Sequence, residues 1–124
     1  MTYVNGFLTP VEQRRRDEYL ASAEQAWPLF REYGAIQHVE AWGDNVPVGE
    51  RTDFRRAVDL RDGEAVIISW IVWPDKATAD RCEASMRTDD RWQTLAMPFD
   101  GTRMIHGGFT TVFEGSAGRP ATPA

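Results

Sequence analysis

The chain is expected to fold as an α+β domain of β-α-β-β-α-β order, the ferredoxin-like arrangement in which two helices cover one face of an antiparallel sheet. Three features predict it. A helix-start signature closes a β-rich opening segment, an Asp62-Gly63 turn leads into a long strand, and that strand is apolar on both faces.

Residues 3–8 are rich in β-formers and read as the first strand. Thr9, Pro10 and Glu12 then supply an N-cap, a first helical residue and the far side of a capping box, which predicts a helix over 9–33. Val11, Tyr19, Ala23, Ala26, Trp27 and Phe30 give that helix one apolar stripe. Gly34 is its expected stop, and Pro28 should bend or interrupt its last turn. The second strand, 35–42, alternates so that Ile36, His38, Glu40 and Trp42 share a face. After a polar loop with Pro47 and Gly49, residues 54–60 alternate as an extra short strand, joined by Asp62-Gly63 in a hairpin to 64–73.

In the segment 64–73, Val66, Ile68, Trp70 and Val72 point one way, and Ile67, Ser69, Ile71 and Trp73 the other. Pro74 ends it. Asp75 caps a second helix that reaches about Arg87, with Ala79, Cys82 and Met86 inward, and 89–95 reads as one further helical turn. The last strand is 103–113, where Gly107-Gly108 predicts a bulge or a close backbone approach. The single domain then spans 1–114. The segment 115–124, mostly Gly, Pro, Ala and Ser, is expected to be a disordered tail.

Composition narrows the function classes. The 124 residues are 42% hydrophobic and 27% charged, which suits one globular core. A net charge of -5 argues against nucleic acid, whose phosphates demand an excess of clustered Lys and Arg. Arg14, Arg15 and Arg16 are flanked by Glu12, Asp17 and Glu18 and read as an ion-paired helix face. No membrane partner is expected: the start lacks a basic segment followed by an apolar run, and the longest apolar stretch, 65–73, is too short to span a bilayer. A single cysteine, Cys82, fits a reducing cytoplasm, and its neighbours Asp80 and Glu83 argue against a reactive thiolate.

A homodimer follows from the pattern. With both helices on one face of the sheet, the other face of 64–73 would be bare in a single copy. Three or four large side chains left there forgo roughly 5–10 kcal/mol of burial. A second copy of the same sheet is the simplest cover; the alternative is that 54–60 and the loop 97–101 fold over that face.

The segments Tyr3-Val4-Asn5-Gly6-Phe7, Gly43-Asp44-Asn45-Val46-Pro47 and Ser69-Trp70-Ile71-Val72 carry a resemblance. So does the long stretch from Met97-Pro98-Phe99-Asp100-Gly101 through Ile105-His106-Gly107-Gly108-Phe109. Over residues 3–113 the chain resembles the YbaA-like family, a bacterial domain of unknown function in the dimeric α+β barrel superfamily. The resemblance implies a barrel-forming dimer and no particular activity. It also implies a superfamily that includes cofactor-free monooxygenases, small-molecule isomerases and haem-binding proteins, with pockets between sheet and helices. Asn45 and His106 depart from the expected pattern, standing where a second acidic residue and an aromatic hydroxyl are more usual.

The candidate chemistry is sparse. His38 and Glu40, two apart on one strand face, could form a base whose tautomer the carboxylate sets. His106, beside the two glycines of the last strand, is the second candidate base. Asp100 and Arg103, around Gly101-Thr102, could bind a substrate anion, and Trp70 could line an apolar pocket. No compact metal-ligand spacing, phosphate loop or dinucleotide fingerprint is visible, so no metal and no cofactor are expected. The expected function is binding or cofactor-free transformation of a small apolar or aromatic molecule between sheet and helices. The alternative is a non-catalytic dimeric module that binds a metabolite or a protein. The sequence leaves open whether the chain is an enzyme.

Overall fold

The computed structural model describes residues 1–118 and 122–123. Its elements are β1 (Tyr3–Glu12), α1 (Arg16–Glu32), β2 (Gln37–Trp42), α2 (Phe54–Ala57), β3 (Glu64–Trp73), α3 (Lys76–Ser85), β4 (Ile105–Thr110), β5 (Phe113–Glu114) and β6 (Thr122–Pro123). Short 3₁₀ turns occupy Gln13–Arg15 and Asp90–Thr94. Strands β1 to β4 form one antiparallel sheet in the order β2-β3-β1-β4, the ferredoxin-like topology the segment order predicts.

Two local signals mislead. Thr9, Pro10 and Glu12 do not start a helix; they extend β1, which pairs with β3 as far as Glu12 opposite Glu64. A capping box is worth on the order of 1 kcal/mol. Thr9 and Val11 lie 2% and 0% exposed in the sheet core, and their burial outweighs the cap. Proline is tolerated there because β4 ends opposite Leu8, which leaves β1 an edge strand at Pro10. Helix α1 therefore begins at Arg16 without a side-chain cap, and Asp17 and Glu18 complement the positive end of its dipole.

The second correction concerns 54–60, which is not a strand. Asp53 accepts hydrogen bonds from the Arg56 amide at 2.7 Å and the Gly49 amide at 3.0 Å, and this cap turns the chain into the short helix α2. The turn at Asp62-Gly63 does form, with Gly63 at φ +81°, but it joins that helical segment to β3 rather than closing a hairpin.

Of the other local readings, some hold and some do not. The Ala35 amide reaches the Phe30 carbonyl, and the Gly34 amide the Arg31 carbonyl, each at 3.0 Å, so Gly34 at φ +105° ends α1 in a Schellman motif. A β-carbon at Gly34 would also meet the Thr78 methyl at 2.6 Å, so this stop lets α3 approach closely. Pro28 does not interrupt the helix, which continues to Glu32 with Leu29 buried. In α3, Ala79 and Cys82 face inward as expected, whereas Met86 is 42% exposed. The glycines of β4 mark a close approach and not a bulge, since the register passes through them unbroken. The Tyr3 hydroxyl occupies the space a side chain at Gly108 would need.

Beyond β4, β5 pairs antiparallel with β6. The disordered-tail expectation at 119–121 and 124 falls outside the described residues.

The register assigns each face. On the helix-covered side, one row across the strands is His38–Ile71–Asn5–Gly108 and the next is Glu40–Ser69–Phe7–His106. On the other side, the rows are Gln37–Val72–Val4–Phe109, Val39–Trp70–Gly6–Gly107 and Ala41–Ile68–Leu8–Ile105. None of these residues is charged, and Ile68, Ile105 and Phe109 are 42%, 46% and 60% exposed. The core lies on the helix side, where Ile71, Trp73, Ala79 and Cys82 form one cluster and Val11, Tyr19, Ala65 and Ile67 a second.

Candidate functional site

His38 and Glu40 come together as expected. His38 Nε2 lies 2.6 Å from Glu40 Oε2, and both side chains are largely buried beneath α1. The structure adds a third member. Tyr19, from the buried face of α1, donates its hydroxyl to the other oxygen, Glu40 Oε1, at 2.5 Å. Burial and, next, the Glu40 charge push the Tyr19 hydroxyl well above the usual phenol range, while the Thr9 and Ser69 hydroxyls oppose the shift. A hydrogen-bonded chain Tyr19–Glu40–His38 thus links α1 to two positions along the edge strand β2. Tyr19 was legible only as an apolar-stripe residue. A buried tyrosine needs a partner for its hydroxyl, and Glu40 on the facing strand is the signal that could have found it.

Aromatic rings surround the His38 end of this chain. The His38 ring lies 5.5 Å from Phe30, edge to face, and 6.3 Å from Trp27. Phe30 in turn contacts Trp92 at 4.8 Å and Trp73 at 6.4 Å. At the other end, Tyr19 packs edge-on against Trp42 and Phe99, and the Arg16 guanidinium lies 5.5 Å above the Trp42 ring.

The remaining sequence candidates separate. His106 shares the sheet face of Glu40 but sits on the opposite edge strand, three strand spacings or about 14 Å away, exposed and stacked on Phe7. Trp70 points to the other side of the sheet, where its indole donates to Gln37 Oε1 at 3.4 Å, so within one copy it cannot share a pocket with His38. Arg103 is held by its own fold. Its guanidinium donates to both Glu64 oxygens at 2.8 and 2.7 Å, to Asp100 at 3.0 Å and to the Asp59 carbonyl at 2.9 Å.

Two clefts open on the surface, one beside α1 and one beside the ends of β1 and β3, and neither touches His38 or His106. One of about 300 Å³ lies between α1 and the loop at Ala96, Met97 and Pro98. The other, about 350 Å³, mixes Arg15, Arg61 and Arg103 with Asp62, Glu64 and Asp100. Among the described residues no three His, Cys, Asp or Glu side chains are grouped to hold a metal, and no helix is long and apolar enough to cross a membrane. Burial pushes the Cys82 thiol up to about 11, so its environment leaves it protonated and unreactive at neutral pH.

An antiparallel β2-β3-β1-β4 sheet with its helices on one face, and a buried Tyr-Glu-His chain beneath α1, define a ferredoxin-like α+β protein. The chain belongs to the family described as protein of unknown function (DUF1428), whose model matches residues 2–101. It is 43% identical over 116 residues to the uncharacterized protein YbaA of Escherichia coli K12, covering 92% of this chain and 99% of that one. The same degree of likeness extends to the uncharacterized protein YbaA of Shigella flexneri.

Among solved structures, the chain is similar to a mutant of SnoaB, a cofactor-independent oxygenase from Streptomyces nogalater. The TM-score is 0.51 at 19% identity, over 95% of this chain and 96% of that one. It is also similar to a dimeric ferredoxin-like protein from an uncultured marine organism, with a TM-score of 0.50 at 9% identity, over 88% and 92% of the two chains. These likenesses establish the fold.

Proposed function

We propose that the protein is a homodimeric barrel that binds a small, flat apolar or aromatic molecule between α1 and the sheet, at His38 and Glu40. The observation that carries this reading is the Tyr19–Glu40–His38 chain, which ends among Trp27 and Phe30. Burying so many polar groups in an aromatic core costs stability unless each is paired. The arrangement suits recognition of one polar group on an otherwise apolar molecule. The structural likeness to a cofactor-independent oxygenase is consistent with such a site serving chemistry without a cofactor.

The dimer rests on the open sheet face, three uncharged rows deep, with Ile68, Ile105 and Phe109 exposed. A second copy of the same face is its proposed cover. A second reading, a non-catalytic binding module, is favoured by one observation. His38 is packed between aromatic rings, and neither cleft reaches it.

The test is a screen of small aromatic compounds against the unmodified protein, read by shifts of the Trp27 indole and His38 ring signals in NMR. Compounds that shift both together support the site. Shifts confined to the Trp70 indole, on the opposite face, or no shifts at all, would overturn it.

A further inference from the structure

We infer that Tyr19 is a positioning residue that fixes the His38 tautomer, leaving Nδ1 as the working atom for a neutral ligand that offers a hydrogen-bond donor. The use of Nδ1 rests on the small-molecule reading above; the tautomer does not.

Glu40 has two carboxylate oxygens, and each has one short partner: Tyr19 on Oε1 at 2.5 Å and His38 Nε2 on Oε2 at 2.6 Å. A carboxylate only accepts, so the imidazole nitrogen facing it must carry the proton. Tyr19 cannot take that role from His38, because its hydroxyl proton is committed to Glu40 and burial opposes its loss. With Oε1 occupied, the carboxylate has one orientation that satisfies both neighbours, and the neutral imidazole is held as the Nε2–H form.

Nδ1 is then a lone-pair acceptor. No hydrogen bond to it forms among the described residues, and none of their buried side-chain nitrogens or oxygens lacks a partner. Nδ1 therefore keeps slight contact with solvent, in a ring whose centroid lies 6.3 Å from Trp27 and 5.5 Å from Phe30. An acceptor backed by a carboxylate repels anions and attracts O–H, N–H or acidic C–H donors. If the ligand gives up that proton, it passes to Nδ1, the bonding pair stays on the ligand, and the imidazolium charge is balanced by Glu40 at 2.6 Å.

The test is nitrogen-15 NMR of the histidine rings in the ligand-free protein at a pH where they are neutral, with His106 as the internal reference. The expected result is a His38 population at least about tenfold in favour of Nε2–H. In Tyr19→Phe that ratio should fall severalfold, while the backbone spectrum and the His106 signals stay unchanged. A wild-type His38 protonated on Nδ1, or a ratio in Tyr19→Phe equal to wild type, would overturn the role. If Tyr19→Phe does not fold, the wild-type tautomer together with Glu40→Gln, in which the preference should be lost, decides the matter.

Ligand choice is read separately by titration with 2-naphthol, naphthalene and 2-naphthoate. Preference for 2-naphthol supports the Nδ1 acceptor, and equal or tighter binding of 2-naphthoate overturns it. Failure of all three to bind, with the tautomer as expected, counts against the small-molecule reading and leaves the role of Tyr19 standing.

Discussion

At the scale of single residues, Arg103 shows how a candidate binding group becomes a structural one. Its side chain is 11% exposed and faces Glu64 at 9%, in a two-pronged pair reinforced by Asp100. The Glu64 carboxyl is held below its usual range chiefly by Arg103, and Asp100 is held down to about 2, chiefly by the Thr102 hydroxyl and then by Arg103. A carboxylate depressed in the folded state adds stability that is present above its unfolded pKa and lost as pH falls through the folded one. Stability should therefore decline from about pH 4 downward. Arg103→Met strands Glu64 with little water, so a loss of about 3 kcal/mol at neutral pH is expected, together with a shallower acid decline. Denaturant unfolding across a pH series measures both. A variant as stable as wild type at neutral pH would show that the pair contributes nothing.

At the scale of elements, the decisive devices are caps and strand partners. Asp75 accepts from the Thr78 amide at 2.8 Å and from the Thr78 hydroxyl at 2.6 Å, so it both starts α3 and orients the side chain that contacts Gly34. Asp75→Ala is expected to cost about 1 kcal/mol, and Asp75→Asn to recover most of that, as judged by thermal melting of the two variants. Equal stability of Asp75→Ala and wild type would mean the helix start is held by packing alone.

Element readings succeeded where one local signal had no long-range competitor, as at Asp75 and Gly34. They failed at Thr9, where pairing of β1 with β3 across 10 residues outweighed a capping box. They failed again at 54–60, where alternation suggested a strand but Asp53 capped a helical turn. The His38–Glu40 pair was legible because both residues lie on one strand, two apart. Tyr19 was not, because its partner is 21 residues away.

At the scale of the whole molecule, the unpaired property is the uncharged face of the sheet. Covered by a second copy, it predicts a solution mass near twice 14.1 kDa by light scattering at micromolar concentration. Ile68→Lys and Phe109→Lys place a charge on that face without disturbing the helix-side core. Each should weaken the dimer at least about thirtyfold, or roughly 2 kcal/mol. A mass near 14.1 kDa for the unmodified chain would remove the barrel reading and the dimer with it.

The sequence by itself determined the segment order, the two-faced apolar character of β3 and the His38–Glu40 pairing. These depend on spacing within a segment, which alternation and caps encode directly. Only the tertiary structure decided that Trp70 and His38 occupy opposite faces, that His106 sits on the far edge, and that the Tyr19 hydroxyl bonds Glu40. Those relations are set by register between strands far apart in the chain and by which face the helices cover. No local pattern carries that information, because a shift of one residue in pairing would move every side chain to the other side of the sheet.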